Sequence, residues 1–594
     1  MYSASRHNRR RFSGGTLRII FTVAMLAMLP VTITAETITV GALAEGCDFD
    51  QLSLAWVRAA VTPEADTILL AADQSHTLST PLTLTGASRV TIRGIRDCSN
   101  DTTWIRTIEA TRGDLFRLID TDLTIDRVTL ETATGGGRPL TASGTSLITL
   151  VGARVVGGVA DEGGNVHLSE GASLALGGSS TISAGSAIFN GGGVFCSGPG
   201  LISVSDTSAI FLNHADFNGG GFYLTSGCAL HVTANDTGGV NANNAGIKDN
   251  DANNDGGGVY ATSGAEVVML GNRHAPARVH DNLARRRGGG IYLNGIGTTG
   301  TLIAAEVSKN HGRLDGGGFY VANGAELTMD HDLEVCDRGI RCSLLDTNFT
   351  TSTSEDSTEG GGIAVTTGGR AEIRQTLVTG NSAEDGNVAW VDGSDSFLLI
   401  EGSALFNNNS VGVHVLAENG GHARMGFVSA WGSSEEAGVM ALAQALDSSR
   451  IDLYSSIVIE GNGLGGLDRV FGPPGVGGLH RADCTIVHEF DSLPAAGVPT
   501  ATMVTNPAFI WKNPSVGDPT LVPTAIAIDY CDALTYFPVD TDIFGDERGI
   551  DDPTVADFIG PYDLGAAEHP AASPEIFADG FESGDLSRWT LAIP

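Results

Sequence analysis

Four aspartates and one arginine run have the spacing that chemistry would need. Asp255 and Asp315 each stand immediately before three glycines, and Asp249 and Asp281 each precede an asparagine that recurs at one phase. Two carboxylates roughly 5–10 Å apart do acid and base work on a glycosidic bond. Asp255 and Asp315 meet that need only if their stretches face one another. A polysaccharide lyase would instead hold calcium with clustered acids and use an arginine or lysine as base. Acids abound, 69 in all, but no basic residue is singled out among them. No cofactor is therefore predicted; calcium suits the composition but no motif supports it. Arg285–Arg287, the densest basic run after the N-terminal stretch, reads either as a contact for an acidic glycan or as a solvated turn. The chain lacks G-x-S-x-G, H-E-x-x-H, a Walker loop and the nonapeptide calcium repeat. "GNGLGG" (Gly461–Gly466) follows a strand pattern but opens no helix pattern, so it is no dinucleotide fingerprint. No catalytic residue is predicted.

These residues sit in a repeat. Triple glycines begin at Gly191, Gly219, Gly256, Gly288, Gly316 and Gly360, so copies lie 28, 37, 32, 28 and 44 residues apart. Six residues before a triplet stands Asn213, Asn250, Asn282 or Asn310, and Asn381 marks a degraded copy. Each triplet leads into a short strand, a polar turn, a second strand and a third apolar run. Three short strands per coil predict a single parallel β-helix, all-β and right-handed. Asparagine tolerates left-handed backbone and bonds its own turn. Stacked about 4.8 Å apart, such side chains can also bond to one another. Asn213, Asn250, Asn282 and Asn310 are therefore read as a structural ladder. The longer copies carry outward loops.

Side chains alternate across a strand. The first and third residues after each triplet are apolar, as in Phe222 and Leu224, and face the core. The second reads Phe195, Tyr223, Tyr260, Tyr292, Tyr320 and Ala364, and the fourth is mostly polar. An aromatic column is thus predicted on the outside. It either stacks to stabilise neighbouring strands or offers a platform to sugar rings or a protein partner.

The ends and the bulk composition set the context. Arginines up to Arg18 precede the apolar run Ile19–Ile33, and "TITAE" offers cleavage after Ala35, so 1–35 reads as an export signal. Residues 36–120 read as an N-terminal cap and first coils, with Asp50 capping a helix whose buried face is Leu54, Val57 and Val61. Residues 121–500 read as β-helix repeats, with 430–450 holding a short helix or a loop. Residues 501–568 read as C-terminal coils and cap, and 569–594 as a mobile tail. Eight cysteines in an exported chain suggest disulfides, Cys336 and Cys342 being close enough to staple one loop. A net charge of −35 repels nucleic acid and anionic membranes. No segment after the signal is apolar enough to span a bilayer.

The Asn-x5-Gly-Gly-Gly-apolar-aromatic repeat resembles that of the chlamydial polymorphic outer-membrane proteins over roughly residues 160–390. That resemblance implies a pectin-lyase-like β-helix at the cell surface, used in adhesion. The chain has no long C-terminal region of alternating strands to build an autotransporter barrel. "NPAFIWKNPSVGDPTLVPTAIAIDYCD" (Asn506–Asp532) and "GDERGIDDP…YDLGAAE" (Gly545–Glu568) resemble bacterial choice-of-anchor Q proteins, which implies secretion with a variable sorting segment. "IFADGFESGDLSRW" (Ile576–Trp589) resembles C-terminal tails of exported gammaproteobacterial proteins. None of these likenesses brings a catalytic residue. The expectation is a secreted or surface-displayed binding protein, adhesin-like or glycan-binding, whose partner is a polysaccharide or a molecule on a host or neighbouring cell. A β-helix polysaccharide lyase or hydrolase, and a purely structural surface protein, are the alternatives.

Overall fold

The computed structural model describes residues 35–569 apart from 61–63, 72–75, 87, 133–135, 235–245, 273–274, 332–342, 352–356, 409–411, 432–439, 460–466, 472–474, 488–509, 515–516, 532–539, 556 and 559. Residues 1–34 of the stretch read as an export signal, the residues beyond His569, Cys336, Cys342, "GNGLGG" and parts of the two longest copies fall outside the described residues.

The repeat folds as predicted, into a parallel β-helix of about 13 turns. One coil shows why. Val259–Thr262 follows the glycines, Glu266–Leu270 and Ala277–His280 follow two turns, and each strand pairs in parallel with its counterpart one copy on. These strands build sheets of 14, 17 and 15 strands in that order around the coil. A fourth element was not foreseen. The two residues after Gly158, Gly185, Asn213, Asn250, Asn282, Asn310 and Asn348, such as Leu283–Ala284, form a further seven-stranded sheet.

Alternation decides the core. Phe222, Leu224, Val259, Ile291 and Leu293 are fully buried. Each such side chain contributes about 1.5–3 kcal/mol on leaving water. Coils stack in strict register because a one-residue slip would turn this whole set outward.

At the N-terminal end, helix α1 (Leu52–Ala59) packs against the first strands. Its details correct the prediction. Gln51, not Asp50, is the N-cap, and it makes no side-chain capping bond. Leu52, Ala55, Trp56 and Ala59 are buried, whereas Leu54 and Val57 are exposed and Val61 lies outside the described residues. The buried set has the i, i+3, i+4, i+7 spacing of one helical face. Trp56 anchors it, its ring 5.3 Å from Phe116 and its Nε1 donating to the Thr83 carbonyl at 3.0 Å. Further on, the 430–450 stretch considered for a short helix or a loop contains the strand Met440–Ala445, and its residues 432–439 lie outside the described residues.

The C-terminal segment returns along the flank of the coils. Ile510, Trp511, Leu521 and Leu564 pack on Leu377, Phe406, Trp431 and Ile457. Gln375 Nε2 donates to Thr541 Oγ1 at 2.8 Å, and the Ala566 N–H donates to Ser429 Oγ at 2.9 Å. The "DERG" and "GAAE" stretches close this segment from inside. Arg548 is fully buried, 3.5 Å from Glu568, and donates to the Ala566 carbonyl at 2.9 Å. Disulfides join Cys47 to Cys98, Cys196 to Cys228 and Cys484 to Cys531, the last tying this segment to the final coils. Such bonds fit an extracellular protein. Among the described residues no helix is long and apolar enough to cross a membrane.

Candidate functional site

The glycine turn shapes the candidate site. Gly219 has φ 69°, a left-handed angle that glycine adopts freely. Gly220 and Gly221 are needed for a different reason. A Cβ there would lie 2.5 Å from the Gly257 oxygen or 2.6 Å from the Gly258 oxygen of the next coil. The turns therefore nest tightly, and the residue before each triplet forms a column beside the aromatic one.

Under this turn runs the ladder. Asn213 Nδ2 donates to Asn250 Oδ1 at 2.9 Å, Asn250 to Asn282 at 3.0 Å and Asn282 to Asn310 at 3.0 Å. Asn348, Asn381 and Asn408 continue it at 3.0, 3.0 and 3.1 Å. Asn348 was missed because its copy carries a long insertion. The left-handed angle belongs not to the asparagines but to the residues before them, Leu212, Asp249, Asp281 and Lys309. The asparagine side chain is thereby freed to bond between coils. At the other end the ladder position is Gly185, and Asn165 from the third-glycine position fills the gap. It accepts from the Gly158 N–H at 2.9 Å and donates to Asn213 Oδ1 at 3.1 Å.

The predicted outer column exists, and its rings stack. Phe195 and Tyr223 lie 5.4 Å apart, Tyr223 and Tyr260 5.2 Å, and Tyr260, Tyr292 and Tyr320 follow at 4.8 Å steps, all near parallel. Phe195, Tyr292 and Tyr320 are buried and Tyr223 and Tyr260 half-buried. Ring faces are occupied by neighbouring rings, so an outside partner reaches only edges and hydroxyls. Tyr260 Oη accepts from Asn294 Nδ2 at 3.2 Å, and Tyr320 Oη accepts from Thr366 Oγ1 at 3.1 Å. Burial pushes the Tyr260 hydroxyl up to about 12, and raises those of Tyr292 and Tyr320.

Beside these rings stands a charged column that sequence only hinted at: Asp255, Arg287, Asp315, Glu359 and Asp385 on successive coils. Arg287 Nε lies 3.2 Å from Asp315 Oδ2, and its guanidinium lies 5.3 Å from the Tyr320 ring centroid. Asp255 and Asp315 thus do not meet; the Arg287 coil separates them, a backbone distance of about 9.6 Å at about 4.8 Å per coil. Asp255 Oδ1 is buried without a hydrogen-bond partner. Burial, then the neighbouring Asp315 carboxylate, pushes Glu359 up to about 7, although Ser357 Oγ donates to it. Asp315 is itself raised by burial. Asp249 and Asp281 lie elsewhere, exposed at the left-handed turn before the ladder.

The arginine run points three ways. Arg285 reaches Asp251 at 3.5 Å, Arg286 donates to Asn254 Oδ1 at 3.0 Å, and Arg287 turns inward. Asn254 Nδ2 in turn donates to Asn218 Oδ1 at 2.9 Å. This strip ends at Phe189 and Phe217, which are 49% and 53% exposed with rings 6.5 Å apart. Sequence reasoning missed them. Their one signal is that both stand two residues before a triplet, in copies 28 residues apart. No family model and no curated protein matches the chain.

Proposed function

We propose that this protein is an exported, surface-acting β-helix that binds a polysaccharide without cleaving it. One observation carries the reading: the strip from exposed Phe189 and Phe217 through Asn218 and Asn254 to Arg286. Aromatic faces suit the apolar sides of sugar rings, and amides and a guanidinium suit their hydroxyls and carboxylates. The stacked tyrosines stand on the strands that follow the turns of this strip. The three disulfides and the basic-then-apolar first 35 residues support export. The likeness of the repeat to chlamydial surface adhesins supports a surface role.

A polysaccharide panel tests this by direct binding and by release of reducing ends or unsaturated products. The expected result is saturable binding to at least one acidic or neutral glycan, no product, and about tenfold weaker binding for Phe189→Ala/Phe217→Ala. Tenfold corresponds to about 1.4 kcal/mol, within reach of two aromatic contacts. Product formation would instead favour a hydrolase or lyase. Binding to no glycan and no cell would leave a structural role.

A further inference from the structure

We infer that the C-terminal segment holds a calcium ion between Asp529, Asp551 and Asp557. One carboxylate oxygen from each of these residues lies within 4.8 Å of the other two. Calcium takes oxygen ligands at roughly 2.3–2.6 Å, so oxygens that far apart can share one ion. An acidic cluster alone would carry little weight, because this chain has many. The second observation is at Asp529. Its residue is fully buried, and its Oδ2 has no hydrogen-bond partner.

The rest of Asp529 is fully used, which isolates that oxygen. Its N–H donates to Asp563 Oδ1 at 2.8 Å, its carbonyl accepts from the Phe558 N–H at 2.9 Å, and Oδ1 accepts from the Asp552 N–H at 3.4 Å. Asp552 and Phe558 are thus both tied to Asp529, and Tyr530 stacks on Phe558 at 4.8 Å. Asp552 turns away to cap Thr554, whose N–H and Oγ1 it accepts at 2.9 and 2.7 Å. Asp551 and Asp557 are exposed, and each brings a carboxylate oxygen within 4.8 Å of one from Asp529. A buried carboxylate oxygen without a donor is costly unless a cation or proton meets it. Three carboxylate oxygens, two of them on exposed residues, suit a hard ion such as calcium. The site is remote in sequence from the glycan strip and does not depend on it.

The test uses the full chain, stripped with EDTA and held at physiological salt to suppress loose binding to its acidic surface. Terbium is titrated with excitation of tyrosine, so that Tyr530, next in sequence to Asp529, sensitises emission. We expect saturable emission that calcium displaces, with a calcium Kd on the order of 10⁻⁴ to 10⁻³ M. Asp551→Asn/Asp557→Asn should weaken it at least tenfold, and Asp249→Asn/Asp281→Asn should not. Both pairs are exposed, and near-ultraviolet circular dichroism checks that each variant is folded. If the first pair perturbs folding, Asp557→Asn alone should still weaken emission severalfold. Emission that never saturates, or that survives loss of Asp551 and Asp557 in a folded variant, overturns the site.

Discussion

Replacing Asn282 with glycine should be among the most damaging single changes in the ladder. Its Oδ1 accepts from the N–H and the Nδ2 of Asn250 at 3.1 and 3.0 Å. Its Nδ2 donates to the Ile247 carbonyl and to Asn310 Oδ1, both at 3.0 Å. Four buried hydrogen bonds at a net of about 1 kcal/mol each give about 4 kcal/mol, much of it from the orphaned Asn250 N–H. The extra backbone freedom of glycine adds about 1 kcal/mol. In a solenoid the loss is local, so coils on either side of Asn282 should lose amide-exchange protection before the ends do. Asn165 and Gly185 show how the loss is repaired. Gly258→Asn alone should destabilise, because its Cβ would lie 3.1 Å from Asn282 Cγ and 2.6 Å from the Gly290 oxygen. Combined with Asn282→Gly it should recover stability, its amide filling the vacated rung as Asn165 does. The reasoning fails if Asn282→Gly costs less than about 1 kcal/mol in denaturant unfolding. It also fails if the double variant is no better than the sum of its parts.

Three further outcomes are expected. Tyr292→Ala removes a buried ring stacked on both sides and should cost about 3–5 kcal/mol, read as a lower unfolding midpoint, whereas Tyr292→Phe should change little. Glu359 is held above its usual value, to about 7 from 4.5. Its stabilising neutral form is complete below about pH 4.5 and lost as pH rises through about 7, with a small slope because the group is half-exposed. Glu359→Gln should flatten stability across that window, and an unchanged slope would remove Glu359 as its source. Arg548→Met leaves Glu568 buried and unpaired, and should cost about 3–5 kcal/mol, with loss of exchange protection confined to 510–568. Adding Glu568→Leu should restore most of it, and no rescue would mean that the pair is not what closes the segment.

The fold was legible because stacking demands repetition. Each coil meets a near copy of itself, so Asn213, Gly219, Phe222, Tyr223 and Leu224 return in Asn250, Gly256, Val259, Tyr260 and Ala261 with the same duties. Helix α1 was located correctly but given the wrong face. Both apolar sets fit a helix, and only the coil end beneath Trp56 decides which one is covered. The ladder was read at four asparagines with Asn381 as a degraded copy, whereas Asn165 was hidden by a shifted position, Asn348 by an insertion, and Asn408 was not foreseen. Phe189 and Phe217 escaped notice because the residue two before the triplet varies from copy to copy.

From the sequence alone came the parallel β-helix, its core, the ladder and the outward phase of the tyrosines, because all follow from local period and alternation. Tertiary structure decided what surrounds those tyrosines. Stacking at 4.8 Å closes the ring faces, the turn before each triplet lays Arg287 against Tyr320, and exposure passes to Phe189 and Phe217. It also decided that Asp255 and Asp315 are parted by Arg287, while Asp529, Asp551 and Asp557, spread over the C-terminal segment, converge. Period places a residue on a face. Only the path of the chain over that face determines what it meets.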